Sequence, residues 1–323
     1  MQRPLFLLYA FALSLPVLFG SGCPQRNYRQ DMRDFVIEIS DYAKHQHPGF
    51  AIVPQNGEAL MTCNGTTKGT PQENYLKAID GQGREDLFYG YNNDDEATPS
   101  EETASMLSMM EFGMTHNVRP LIIDYCSTHA NIDDSYRKNG ALGFLSFAAE
   151  RRDVDLLPTY PTTPPNENTN PVTSLAAAQN LLYLLNPGGY DSREAYLSAL
   201  EKTNYDVFVI DAYYDDAALS KEEVERLHTK ANGGRRLLLA YLSIGEAENY
   251  RPYWHAGWRP GFPAWLSKEN PNWEGNFKVK YWQEGWKRII FGSPEASLDK
   301  ILEAGFDGAY LDIIDAYEYF EGS

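Results

Sequence analysis

The chain has 323 residues, 43% of them hydrophobic and 23% charged, which excludes a disordered chain, a collagen-like repeat and a disulfide-dense miniprotein. Lys+Arg 28 against Asp+Glu 45 leaves a formal charge of -17, so there is no basic footprint for nucleic acid, whereas cationic ligands would be attracted. Three cysteines, 22 tyrosines and 6 tryptophans make the chain cysteine-poor and aromatic-rich, which suits sugar stacking and also suits a large core.

Arg3 opens an apolar run from Pro4 to Phe19, followed by Gly20, Ser21 and Gly22 and then Cys23. Spanning a bilayer takes about 20 apolar residues, so the run is too short for a membrane helix. A basic start, an apolar middle and a small-residue end predict an export signal over residues 1–22. Cys23, directly after Ser-Gly, resembles the acylated cysteine of a bacterial lipobox. That predicts a protein held by a lipid anchor in the membrane of a bacterial cell envelope or surface. The remaining cysteines, Cys63 and Cys126, could pair in an oxidising compartment or stay as thiols.

Past Asp31 a helix is expected over Met32–His45. Apolar β-rich runs then follow at Phe50–Pro54, Asp86–Tyr89, Leu121–Tyr125, Leu142–Phe147, Leu181–Leu185, Val207–Tyr213, Leu237–Ser243 and Gly308–Ile313. They are near-continuous rather than alternating, as expected of parallel strands covered on both faces. Amphipathic segments lie between several of them, at Glu101–His116, Asp191–Thr203, Lys221–Ala231 and Pro294–Ala304. Eight such strands predict an α/β fold, a (β/α)8 TIM barrel, over residues 23–323. Leu157–Pro171 (LPTYPTTPPNENTNP) can be neither helix nor strand and reads as a linker between halves 29–156 and 172–323. The first helix has no strand before it, and the last strand has no helix after it. A circularly permuted barrel resolves both oddities, because the first helix can cover the last strand.

In such a barrel the chemistry sits where strands end. Carboxylates gather there: Glu58 in VPQNGE, Asp124 after Leu121–Ile123, Asp211 in VFVID, Glu246 and Glu248 in LSIGEAENY, Asp312 and Asp315 in GAYLDIID. Like charges in one cleft raise one another's pKa, which acid–base chemistry needs. Glycoside hydrolysis in particular takes two carboxyl groups flanking the scissile bond. The six histidines show no tight metal spacing, and there is no GxSxG elbow or Walker loop. GQGRED (81–86) precedes a predicted strand instead of following one, and NNDDE (92–96) reads as a solvated acidic loop. No cofactor and no metal are expected.

The segments YLSIGEAENYRPYW (241–254), NFKVKYW (276–282), GFDGAYLDIIDAYEYFE (305–321), VPQNGEAL (53–60) and EDLFYG (85–90) resemble glycoside hydrolase family 114, which includes endo-α-1,4-polygalactosaminidases. The likeness covers nearly all of the mature chain, but in that family the part resembling the second half comes first, as the permutation predicts. The resemblance implies an enzyme acting on a polysaccharide, a cationic galactosamine polymer, with Asp312 as nucleophile and Glu58 as general acid/base. It implies pocket roles for Asp211, Tyr213 and Glu246. Tyr89, Trp254 and Trp282 read as stacking platforms or as packed aromatics. A retaining pair would stand about 5–5.5 Å apart and an inverting pair about 6.5–9.5 Å. The competing readings are a hydrolase of another α-linked glycan and a non-catalytic glycan-binding surface lipoprotein.

Overall fold

The computed structural model describes residues 26–322, so residues 1–22, read above as an export signal, and Cys23 lie outside the described residues. The first element is α1 (Tyr28–Gln46), capped by the Asn27 side chain, which accepts from the Gln30 amide at 3.0 Å. Met32, Phe35, Val36, Ile39 and Ala43 recur at helical spacing and are all buried, so this stripe decides which face of α1 meets the core. Next come β1 (Ala51–Pro54), α2 (Glu73–Ala78), β2 (Gly81–Glu85), α3 (Ser100–Thr115), β3 (Arg119–Tyr125), α4 (His129–Ala141) and β4 (Leu145–Ala149). The second half holds β5 (Leu181–Leu184), α5 (Arg193–Glu201), β6 (Val207–Asp211), a ribbon of β7 (Tyr213–Tyr214) and β8 (Ala217–Ala218), α6 (Lys221–Leu227) and β9 (Leu237–Ser243). An antiparallel insertion of β10 (Glu246–Glu248), β11 (Leu266–Glu269) and β12 (Asn276–Val279) precedes α7 (Glu284–Ile290), α8 (Ser297–Ala304), β13 (Gly308–Asp312) and α9 (Ala316–Glu321).

Eight of these strands form a parallel (β/α)8 barrel in the order β1, β2, β3, β4, β5, β6, β9, β13. Hydrogen-bonded ladders join β2–β3–β4 and β5–β6–β9–β13–β1. A parallel bridge from Gln55 to Gly83 links β1 to β2, and β4 lies beside β5. The β4–β5 seam is also where the outer helix is missing. Between those strands the chain holds only a 3-10 turn, Leu175–Ala177, and 157–171 is irregular throughout, as its composition predicts. α1 takes the outer-ring place between β13 and β1. On one side the Tyr42 hydroxyl donates to Asp299 of α8 at 2.5 Å, and on the other the Ser40 hydroxyl donates to the Ala78 carbonyl of α2 at 2.6 Å.

Three expectations need correction. The second strand is Gly81–Glu85, not Asp86–Tyr89: Gly83 must lack a side chain because a Cβ there would sit 2.0 Å from the Tyr310 hydroxyl, so the strand carries little apolar signal. Leu87 instead belongs to a small cluster with Met106, Met110, Ile122 and Phe144 between the barrel wall and its helices. The fourth strand begins at Leu145, since 142–143 still belong to the turn after α4. Finally, the short α9 follows the last strand where no helix was expected. Cys63 is exposed, Cys126 is buried, and both are free thiols.

At the N-terminal end of the barrel, Lys230 and Asp206 form an ion pair at 2.9 Å with both side chains fully buried. The Lys230 ammonium also donates to the carbonyls of Asn168 (2.8 Å) and Asn170 (2.9 Å), which fastens the irregular stretch beneath β6. Removing one member of such a pair leaves an uncompensated buried charge, which costs about 3–5 kcal/mol. Lys230→Met is therefore expected to lose stability of that order in urea unfolding. A loss within the noise of a surface substitution would contradict this role.

Candidate active site

Side chains at the last inward positions of parallel strands meet at the C-terminal rim, and a cavity of about 350 Å³ opens there. Barrel strands and the residues just after them supply Gln55, Asn56, Glu85, Tyr125, Tyr183, Asp211, Tyr241 and Asp312. The insertion after β9 supplies Glu246, Glu248, Tyr250, Arg251 and Trp273. A larger hollow of about 780 Å³ lies at the opposite end, between Gly49, Arg119 and Leu175, and holds none of the strand-end carboxylates named above. The chemistry therefore belongs to the smaller cavity.

Asp312, the last residue of β13, accepts from the Tyr241 hydroxyl at 2.7 Å and from the Ile313 amide at 2.7 Å. Ile313 holds φ 57, a conformation that β-branched residues rarely accept, directly beside this carboxylate. Burial first, and the neighbouring Glu85 charge second, push the Asp312 carboxyl up to about 7. Glu85, the last residue of β2, accepts from the Tyr125 hydroxyl at 2.5 Å and from the Asn56 side-chain amide at 2.9 Å. Its backbone amide donates to Asn56 Oδ1 at 3.1 Å, so Asn56 grips both ends of the residue. Among the described residues neither Asp312 nor Glu85 joins an ion pair; each is held by neutral donors.

Three other acidic groups of the cavity are ion-paired. Arg251 pairs with Asp211 at 2.9 Å and with Glu248 at 2.6 Å. Burial still raises the Glu248 carboxyl despite that partner. Glu246 is fully buried and pairs with Lys278 at 2.6 Å, while its Oε1 also accepts from Asn270 at 2.8 Å. Its second oxygen, Oε2, is buried without a partner, an open acceptor in the cavity wall. Asp315 lines the rim.

Several expected site residues lie elsewhere. Glu58 does not line the cavity: it starts a 3-10 turn after β1 and pairs with Arg84 at 3.1 Å, whose Nε lies against Met106 of α3. It therefore does not face Asp312 across the cleft. Asp124 is fully buried and structural. It accepts from the Phe88 and Tyr89 amides (2.9 and 3.3 Å) and from Ser135 and Asn139 of α4 (2.6 and 3.1 Å), because alternation along β3 turns Tyr125 inward and Asp124 outward. Tyr89 is buried against α4, donating to Asp134 at 2.7 Å. Tyr213 lies beneath the Arg251 guanidinium at 5.3 Å, outside the cavity lining. Trp254 packs on Phe277 and Trp258, and Trp282 on Tyr28 and Phe320, and neither lines the cavity. The residues that sequence reasoning missed are Glu85, its clamp Asn56, Tyr241 and Arg251. Glu85 stood inside a recognised segment but before a misplaced strand, so its position at a strand end was hidden.

Residues 161–323 match the glycoside-hydrolase family GH114, half of the chain. The chain belongs to that family. It is similar to an uncharacterized protein of Deinococcus radiodurans, 39% identical over 160 residues that make up 50% of this chain and 47% of that protein. It is also similar to an uncharacterized protein of Methanocaldococcus jannaschii, 40% identical over 156 residues, 47% of this chain and 42% of that one. A third, from Thermotoga maritima, is 36% identical over 131 residues, 41% of this chain and 39% of that one. The matches thus span less than half the length of each relative.

The acidic floor of this GH114 barrel has a cost in stability. Asp312 stands near 7 when folded, against roughly 3.9 for an unfolded aspartate. The folded state therefore holds the extra proton between those values, and stability falls as pH rises through that window. Asp312→Asn removes the burden. The variant is expected to melt above the wild type at pH 8, with the advantage disappearing toward pH 4; equal melting at pH 8 would contradict the raised carboxyl.

Proposed function

We propose that this GH114 glycoside hydrolase is an exported, retaining enzyme that cleaves an α-linked amino-sugar polysaccharide such as a galactosamine polymer. Asp312 is the nucleophile and Glu85 the general acid/base. The observation that carries this reading is the pair itself: two carboxylates in one cleft at the C-terminal rim, electrostatically coupled and free of cationic partners among the described residues. In the first step Asp312 attacks the anomeric carbon while the glycosidic C–O bond breaks, and Glu85 delivers the proton to the leaving oxygen. In the second, Glu85 takes a proton from water, water attacks the same carbon, and Asp312 leaves as a carboxylate. The Tyr241 hydroxyl and the Ile313 amide hold the Asp312 oxygens for attack.

The formal charge of -17, the open acceptor on Glu246 and the rim carboxylate Asp315 support a substrate bearing protonated amines. Arg251 pairs with both Asp211 and Glu248 and offsets only one of their two charges, so the cavity stays net negative. Export and a lipid anchor at Cys23 belong to the same proposal and rest on the pattern of residues 1–23. So does the permuted order of the halves. It is supported by α1 filling the outer-ring place beside β13 and by a family match that starts at residue 161, inside the irregular stretch.

Oligosaccharide release from α-1,4-linked galactosamine polymer tests the assignment. Glu85→Gln is expected to lower it by about 10²–10⁴-fold, the range for removing an acid–base group, and Asp312→Asn, which removes the nucleophile, by at least as much. Glu58→Gln is expected to keep most of it. The opposite ranking of Glu85→Gln and Glu58→Gln would return the acid/base role to Glu58. No release from this or other α-glycans by a folded wild type would favour the glycan-binding reading. Because Asp312 must be ionised to attack and its carboxyl is pushed up to about 7, kcat/KM should rise as pH rises toward about 7. A rate as high at pH 5 as at pH 7 would contradict this role for Asp312.

A further inference from the structure

We propose that Trp273, together with Tyr250, is a stacking platform for a sugar ring bound next to the reacting one, in an oligosaccharide long enough to leave the cavity. The inference rests on the glycosidase reading above and adds a subsite to it. Five of the six tryptophans are committed to packing. Trp254 and Trp258 stack in series toward Trp265 and Trp286, with centroids 4.9–5.3 Å apart, and Trp282 lies on Phe320 at 4.8 Å. Trp273 has no ring partner among the described residues, is 62% exposed, and lines the cavity. Tyr250, 52% exposed, lines it too, whereas the equally exposed Phe262 does not. An indole left in water forfeits the burial that a packed position would give it, and one on the rim of a polar cleft has a flat face free for a ligand.

The platform is held in place rather than loosely displayed. The Trp273 amide donates to the Asn270 carbonyl, and the Asn276 amide donates to the Trp273 carbonyl, both at 3.2 Å. The Asn270 side chain in turn donates to Glu246, tying this turn to the cavity wall. Gly275 completes the turn at φ 84, where any Cβ would sit 2.7 Å from Asn249 Oδ1. Rigid presentation lowers the entropy lost on binding. The C–H face of a pyranose covers an aromatic ring well, and a protonated amino sugar is further attracted by the ring's negative face.

The test is binding of α-1,4-linked galactosamine oligomers of graded length to the inactive Asp312→Asn protein, read by tryptophan fluorescence and calorimetry. Adding Trp273→Ala should weaken binding of the longer oligomers about tenfold or more. Trp273→Phe should recover part of the loss, and Phe262→Ala should change nothing. In the otherwise wild-type enzyme, the Trp273→Ala effect should fall mainly on KM for long substrates. Unchanged binding in Trp273→Ala, with hydrolysis by the wild type intact, would overturn the platform and leave the glycosidase reading standing. Oligomers that are neither bound nor hydrolysed by the wild type would overturn both.

Discussion

Closure of eight parallel strands is the constraint on which everything else depends. Once β1 is bridged to β2 and β13 is laddered to both β9 and β1, the last residues of β2 and β13 are brought to opposite sides of β1 at one rim. Glu85 and Asp312 are more than two hundred residues apart in sequence and share a cavity only because the sheet closes. The weakest seam, between β4 and β5, has no outer helix. It is compensated at its base by the buried Lys230–Asp206 pair, which holds the irregular stretch where a helix would otherwise pack.

The site is a problem in distributing charge. Six carboxylates reach the cavity, and Arg251 and Lys278 pair with three of them, offsetting two of those three charges. Among the described residues Asp312, Glu85 and the rim residue Asp315 join no ion pair, so the local field favours a cationic substrate group where the reaction is proposed to occur. Neutral donors from Tyr241, Tyr125 and Asn56 fix the geometry of the pair without removing that field. A cation in their place would lower the Asp312 carboxyl.

Much of this was legible in the sequence. The apolar runs at β3, β6, β9 and β13 show themselves because parallel strands are covered on both faces, and Asp211 and Asp312 fall at strand ends as read. β2 was missed because it is built from glycine and polar residues around Tyr310, and losing that strand concealed Glu85. Helix α4 was missed for a related reason. Its inward face carries Ser135 and Asn139, which serve the buried Asp124, so it lacks an apolar period. Asp124 and Glu58 show the limit of reading carboxylates by their place after a strand. Whether such a residue turns into the barrel or out toward a helix is a matter of one-residue alternation and loop path, which spacing alone does not resolve.

The most direct test of the proposed chemistry is to trap the covalent intermediate with a slow 5-fluoro glycosyl fluoride of galactosamine and to locate the adduct by mass spectrometry of peptides. The account predicts one sugar attached to the peptide carrying Asp312, accumulating further when Glu85 is replaced by Gln. An adduct on Glu58 or Glu85, or turnover with inversion and no adduct, would contradict it.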